Sequence, residues 1–212
     1  MQVPEEFNYI LDLLKGEEGG YIHRNSSEED ITNGYGIYRF QHPKAQVWAY
    51  IDNCAKSLGI TSPSKTWTQI QIDSINHIIN PEMDRYYSYV FYSSFFKNTG
   101  LEFSHKLVAP TVISLYTNGN KLYNLSLQRA LNAMIKDGNI KCAKLVEDGV
   151  VGPKTLNVFK EISTKGGNVL NEKLKLLILL YAKTYYTNLV ASKPNEYLRY
   201  AKGWDQRVNN RI

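Results

Sequence analysis

The reading of this chain turns on residues 13–38, LLKGEEGGYIHRNSSEEDITNGYGIY. An apolar helical run ends in two adjacent glutamates, two glycines and a tyrosine, and a polar loop is then closed by Thr32 and a second glycine–tyrosine cluster. Upstream, Phe7, Ile10, Leu11 and Leu14 recur at i, i+3, i+4 and i+7, one face of a helix. With about 100° per residue, a helix continued past Leu14 brings Glu18 within roughly 30° of the centre of that stripe. Glu17 falls some 70° to the other side, on the rim, while Asp12 and Lys15 point away. Glu18 is therefore the acid aimed at the protein. A carboxyl group on an apolar face loses hydration, which disfavours its charged form, and the negative end of a helix acts in the same direction. Such an acid holds its proton near neutral pH and can serve as a general acid. Gly19 and Gly20 stop the helix and leave room for a ligand beside it.

Outward from this stretch the pattern is helical. YIHR (21–24) and YGIYRF (35–40) flank the polar loop and are expected to form a small hairpin, with Tyr35 and Gly36 on its turn side. Leu127, Leu131, Met134 and Ile135 repeat the helical spacing, and residues 172–190 are apolar around most of the circumference, the mark of a buried helix. Turn residues cluster at Pro63, Pro81, 117–121, 148–153 and 165–167. The expected fold is mainly α, with a small β-hairpin beside the site and a C-terminal helical lobe.

The net charge of +5 is unevenly placed: residues 1–122 carry 10 basic and 13 acidic side chains, residues 123–212 carry 15 and 7. The shift sets an expected division into 1–122 and 123–212, and the basic second part suits an anionic partner. No nucleic-acid recognition motif accompanies it, so nucleic acid is not expected as that partner. Cys54 and Cys142 lie in no CxxC pair and read as reduced, half-buried thiols. His23, His42, His77 and His105 lack metal-ligand spacing, so no metal is expected. The run LLILLYA (176–182) is too short to span a bilayer, and the acidic start MQVPEEFNYI is unlike a signal peptide. Synthesis in the cytoplasm is the expectation.

Glu18, Gly19, Gly20 and Tyr21, followed by Thr32 and Asn33 and then Tyr35, Gly36 and Ile37, resemble the E-G-G-Y and T-N-Y-G-I elements of the glycoside hydrolase family 108 muramidases, with Gly34 as an insertion. LSLQRALN (125–132), DGVVGPKTL (148–156) and GWDQRVNNR (203–211) resemble the helical peptidoglycan-binding segment that follows the catalytic region in that family. Residues 40–120 share only helical character.

The resemblance implies a lysozyme-like catalytic part over 1–122 and a peptidoglycan-binding part over 123–212. It implies cleavage of the β-1,4 bond between N-acetylmuramic acid and N-acetylglucosamine, with Glu18 as general acid, Thr32 holding water or a substrate oxygen, and Tyr21, Tyr35, Gly19 and Gly20 lining the sugar site. The family loop carries aspartates where this chain has HRNSSEED. Asp30, two residues before Thr32, is the first choice for the second acid, and Glu28 and Glu29 read as solvated loop charges. No cofactor is implied. Peptidoglycan is the expected partner of a monomer that acts in the periplasm or wall, with a holin or secretion system for export. A lytic transglycosylase using one glutamate, or a non-catalytic wall-binding protein, are the competing readings. Trp204 reads either as a glycan contact or as the packing anchor of the last helix.

Overall fold

The structure, a computed structural model, describes residues 2–15, 21–24, 28–117 and 120–209. These are mainly helical, with one two-stranded antiparallel sheet among them. The chain forms two compact units, Met1–Ser94 and Phe95–Ile212. The division falls ahead of the change in charge at 117–121, because the helix before that change, α5 (Ala109–Thr117), packs on α6 (Asn120–Lys136) and α8 (Gly167–Ser192).

In the first unit, α1 (Asn8–Leu14) is followed by β1 (Ile22–His23), β2 (Thr32–Asn33), α2 (Gln46–Ser57), α3 (Gln69–Ile78) and the first turns of α4 (Pro81–Thr99). Helix α1 is shorter than the apolar stripe implied. The Lys15 amide closes the last turn on Leu11 and Lys15 itself is extended, so the wheel cannot be carried on to Glu18. The next residue in sequence is a glycine, a poor helix former. Two local signals start the next helices. Thr68 and Gln71 make a reciprocal capping box at the head of α3. Asn80 Oδ1 accepts the Glu82 and Met83 amides at 2.8 and 3.2 Å ahead of Pro81, the first residue of α4. Ile22, Ile31 and Ile37 from the hairpin region join Trp48, Ile51, Ile72 and Ile75 from the helices in one apolar core. The tyrosines and phenylalanines of α4 are packing residues: Tyr89 lies against Phe7, Tyr87 stacks on Tyr50, and Phe91 meets His42.

In the second unit, α6, α7 (Pro153–Lys165) and α8 share a core that includes Leu127, Leu131, Met134, Phe159 and Ile178. Helix α7 begins at Pro153 after Gly152, as the sequence leads one to expect. The reading of α8 as buried all round is corrected: Leu176 and Leu180 are 44% and 57% exposed, and only the face with Leu174, Ile178, Leu179, Ala182 and Tyr186 is covered. Trp204, on α9 (Pro194–Asn209), stacks on Tyr186 with ring centroids 4.7 Å apart and so anchors α9 to α8. Cys54 and Cys142 are free, half-buried thiols.

Residues 145–150, leading into and through the start of DGVVGP, are held by three carboxamides one turn apart on α6. Asn124 donates to Gly149 O at 2.8 Å. Gln128 donates to Asp148 Oδ1 and Val150 O and accepts the Gly149 amide at 2.9 Å. Asn132 exchanges two hydrogen bonds with Leu145. Gln128 is nearly inaccessible to solvent, so Gln128→Leu leaves buried loop groups without partners. It should cost about 3 kcal/mol and lower the urea midpoint; an unchanged midpoint would show that water replaces the lost bonds.

Candidate functional site

Strand β1 is fixed from below by the Asn76 side chain of α3. Its Oδ1 accepts the Tyr21 and Ile22 amides at 2.9 and 2.8 Å, and its Nδ2 donates to Ile22 O at 2.9 Å. The amide thus supplies the edge that a third strand would give. On the other edge Ile22 pairs with Asn33 and His23 with Thr32. The second strand is therefore Thr32–Asn33 rather than the expected YGIYRF; the chain turns after it and Tyr38 returns only as a single bridge to Thr32. Asn33 organises this turn. Its Oδ1 accepts the Tyr35 and Ile37 amides at 3.1 and 3.0 Å, and its Nδ2 donates to Ser88 Oγ on α4 at 2.9 Å. Gly36 supplies the positive φ of 78° that the turn needs. Tyr92, one helical turn beyond Ser88, donates its hydroxyl to Tyr35 O at 2.8 Å.

Glu18, Gly19 and Gly20 lie outside the described residues. Of the expected site residues that are described, Thr32 pairs with His23 across the hairpin and Tyr21 O accepts the Gly34 amide at 2.8 Å, while Asp30 and Tyr35 have other engagements. Asp30 Oδ1 accepts the Ser64 hydroxyl at 2.7 Å and the Ile31 amide at 2.8 Å, tying the loop to the turn before α3. Arg24 reaches the same turn through Ser64 O and Trp67 O. Glu28, read from sequence as a solvated charge, is half-buried and its Oε2 accepts the Thr32 hydroxyl at 3.1 Å. Tyr35 is 3% exposed, so its ring packs inside and offers no open face to a sugar. Tyr21 is half-buried, with the Lys15 ammonium 5.1 Å from its ring centroid and 6.0 Å from that of Tyr35.

One acid escaped the sequence reading. Asp84, in the first turn of α4, is fully buried, and neither carboxyl oxygen has a hydrogen-bond partner among the described residues. Burial pushes its carboxyl up to about 7, against the pull of the nearby Asn33 amide and the Lys15 ammonium. The adjacent Arg85 does not pair with it. Its guanidinium binds Asp12 Oδ1 at 2.7 Å and Asn8 Oδ1 at 3.0 Å on α1. The Tyr35 phenol is raised in turn, first by burial and then by the Asp84 charge. Asp84, Ser88 and Tyr92 recur at intervals of four, the face of α4 turned to residues 33–35. That periodicity was present in the sequence, but an acid in the first turn of a helix reads as ordinary dipole compensation.

Among the described residues no group of three or more His, Cys, Asp or Glu side chains is arranged to hold a metal. No family model and no curated protein matches the chain. The likeness to family 108 glycoside hydrolases therefore stands on the residues quoted for it.

The raised Asp84 fixes a sign. The native state holds this proton more tightly than the unfolded chain, whose aspartates titrate near about 3.9. Its contribution to stability is fully present below that pH and is lost as pH rises towards about 7. Asp84→Asn removes the titration. Unfolding measured across this window should show the wild type losing stability relative to the variant as pH rises, and parallel curves would mean that Asp84 titrates normally.

Proposed function

We propose that the protein is a peptidoglycan muramidase, cleaving the β-1,4 bond between N-acetylmuramic acid and N-acetylglucosamine. Supporting this are the E-G-G-Y and T-N-x-Y-G-I elements, and the geometry just beyond the first of them carries the proposal. The Glu28 carboxylate and the Thr32 hydroxyl form one hydrogen-bonded pair on the hairpin that begins directly after Tyr21. Hydrolysis of a glycoside needs an acid to protonate the leaving oxygen and a carboxylate to stabilise the anomeric carbon or direct water. Glu18 is assigned the first role. Glu28 takes the second, since its carboxylate already meets the Thr32 hydroxyl, whereas Asp30 Oδ1 accepts the Ser64 hydroxyl and the Ile31 amide. Thr32 orients Glu28 and can pass its hydroxyl to the water as substrate enters. Tyr21 offers its ring as a wall for the sugar. No cofactor enters this scheme.

The second unit is assigned a wall-binding role, drawn to anionic polymer by its basic side chains. In this reading the protein works as a monomer in the periplasm or wall and is carried there by a holin or a secretion system. Among the described residues no helix is long and apolar enough to cross a membrane.

Mass spectrometry of fragments released from purified peptidoglycan tests the proposal. Reducing-end N-acetylmuramic acid is expected; anhydro-muramic ends would mean a lytic transglycosylase, and binding to sacculi without release a wall-binding protein. Glu18→Gln and Glu28→Gln should each lower turnover by about a hundredfold or more, with Glu17→Gln close to wild type. Full activity in Glu28→Gln, with loss in Asp30→Asn, would return the second role to Asp30.

A further inference from the structure

The YGIYRF segment forms no second strand, yet its last residues are firmly held. Tyr38 makes the single bridge to Thr32, and its hydroxyl accepts the Glu29 amide at 2.8 Å. Opposed side chains of an antiparallel pair share a face, so the Tyr38 ring lies on the side where Thr32 meets the Glu28 carboxylate. The Arg39 amide donates to Ile31 O at 3.0 Å, and its guanidinium grips both oxygens of Asp52 at 2.7 and 2.8 Å. Beyond it, the His42 amide donates to Tyr38 O at 3.0 Å, and the Trp48 indole donates to His42 O at 2.9 Å. Phe40 sits between these anchors. Its ring contacts that of Tyr38, with centroids 5.9 Å apart, and the residue is 59% exposed. A lone exposed phenylalanine is ordinary. One presented beside the Glu28–Thr32 pair by a turn pinned on both sides is already ordered for a ligand.

We propose that Phe40, propped by Tyr38, is a sugar-binding platform that takes one N-acetylhexosamine ring of the peptidoglycan strand, next to the sugar flanked by Glu28 and Thr32. This rests on the muramidase reading above. The apolar face of a pyranose carries C–H groups that pack on the face of an aromatic ring. Tyr38 ties the platform to the site, since its hydroxyl holds the backbone of Glu29, the residue after the assigned carboxylate. Phe40 has no proton to give and no charge to place at the reacting carbon. Its contact is the same before bond cleavage as during it, so its loss raises KM and leaves kcat unchanged.

The test compares wild type, Phe40→Ala, Phe40→Leu and Phe40→Trp in the full chain on soluble peptidoglycan glycan strands. Phe40→Ala and Phe40→Leu should each raise KM about tenfold, the scale of covering one aromatic side chain, with kcat unchanged. Phe40→Trp, which keeps a flat aromatic face, should hold the wild-type KM. An unchanged KM in Phe40→Ala would show that the ring is not used. A wild-type KM in Phe40→Leu would show that any apolar bulk serves, and either result overturns the platform. A second readout needs no turnover: in Glu18→Gln the Phe40 ring resonances should shift as a tetrasaccharide of alternating N-acetylglucosamine and N-acetylmuramic acid is added. Shifts confined to other residues would overturn the proposal. A wild type that cleaves nothing would sink the muramidase reading, and the resonances would then judge Phe40 on their own.

Discussion

The buried side-chain amide of Asn33 is the interaction on which the first unit depends. Its acceptor takes two backbone amides of the turn and its donor reaches across to Ser88 on α4. Without it the turn would bury two amides unpaired, each at a cost of about 1–3 kcal/mol. With it, residues 33–37 are pinned to the helix, and the neighbouring placements follow. Thr32 is held in register with His23, Tyr35 is driven inside, and the loop returns past Glu28 so that its carboxylate meets the Thr32 hydroxyl.

The same device recurs at two other irregular segments among the described residues. Asn76 edges β1, and Asn124, Gln128 and Asn132 clamp residues 145–150. A carboxamide carries both a donor and an acceptor, so it can pair with a peptide group as another peptide would. It also remains neutral when buried. Asp84 is the contrast: it sits on the same face of α4 as the partner of Asn33, its oxygens have no hydrogen-bond partner of good geometry among the described residues, and burial pushes it towards its neutral form against the pull of the Asn33 amide. Closing the turn over α4 makes that desolvation unavoidable for a carboxylate at this position.

Much of this was legible from the residues. The helical class, the hairpin region after the glycines and the start of α7 at Pro153 follow from periodicity and turn chemistry. Short-range rules served less well where tertiary contacts decide. The stripe through Leu14 suggested a longer α1, but Lys15 is already extended. Asp30 was favoured by its distance from Thr32, and a contact that the sequence does not show, from Ser64 far along the chain, reaches its Oδ1. Tyr35 looked available because it flanks the acids, and only the approach of Tyr92 and the α4 face reveals that it is covered. Asp84 could not be singled out because its burial is a property of the partner surface, and nothing in its own neighbours along the chain signals it.

The central claim is that the E-E-G-G segment and the hairpin form one hydrolytic site. A crystal structure of the Glu18→Gln variant bound to a peptidoglycan fragment tests it most directly. The account predicts a glycosidic oxygen within hydrogen-bond distance of residue 18, with the Glu28 carboxylate flanking the same sugar at a separation of about 5–10 Å and Thr32 beside it. A fragment bound with residue 18 on a different surface from Glu28 and Thr32 would contradict it.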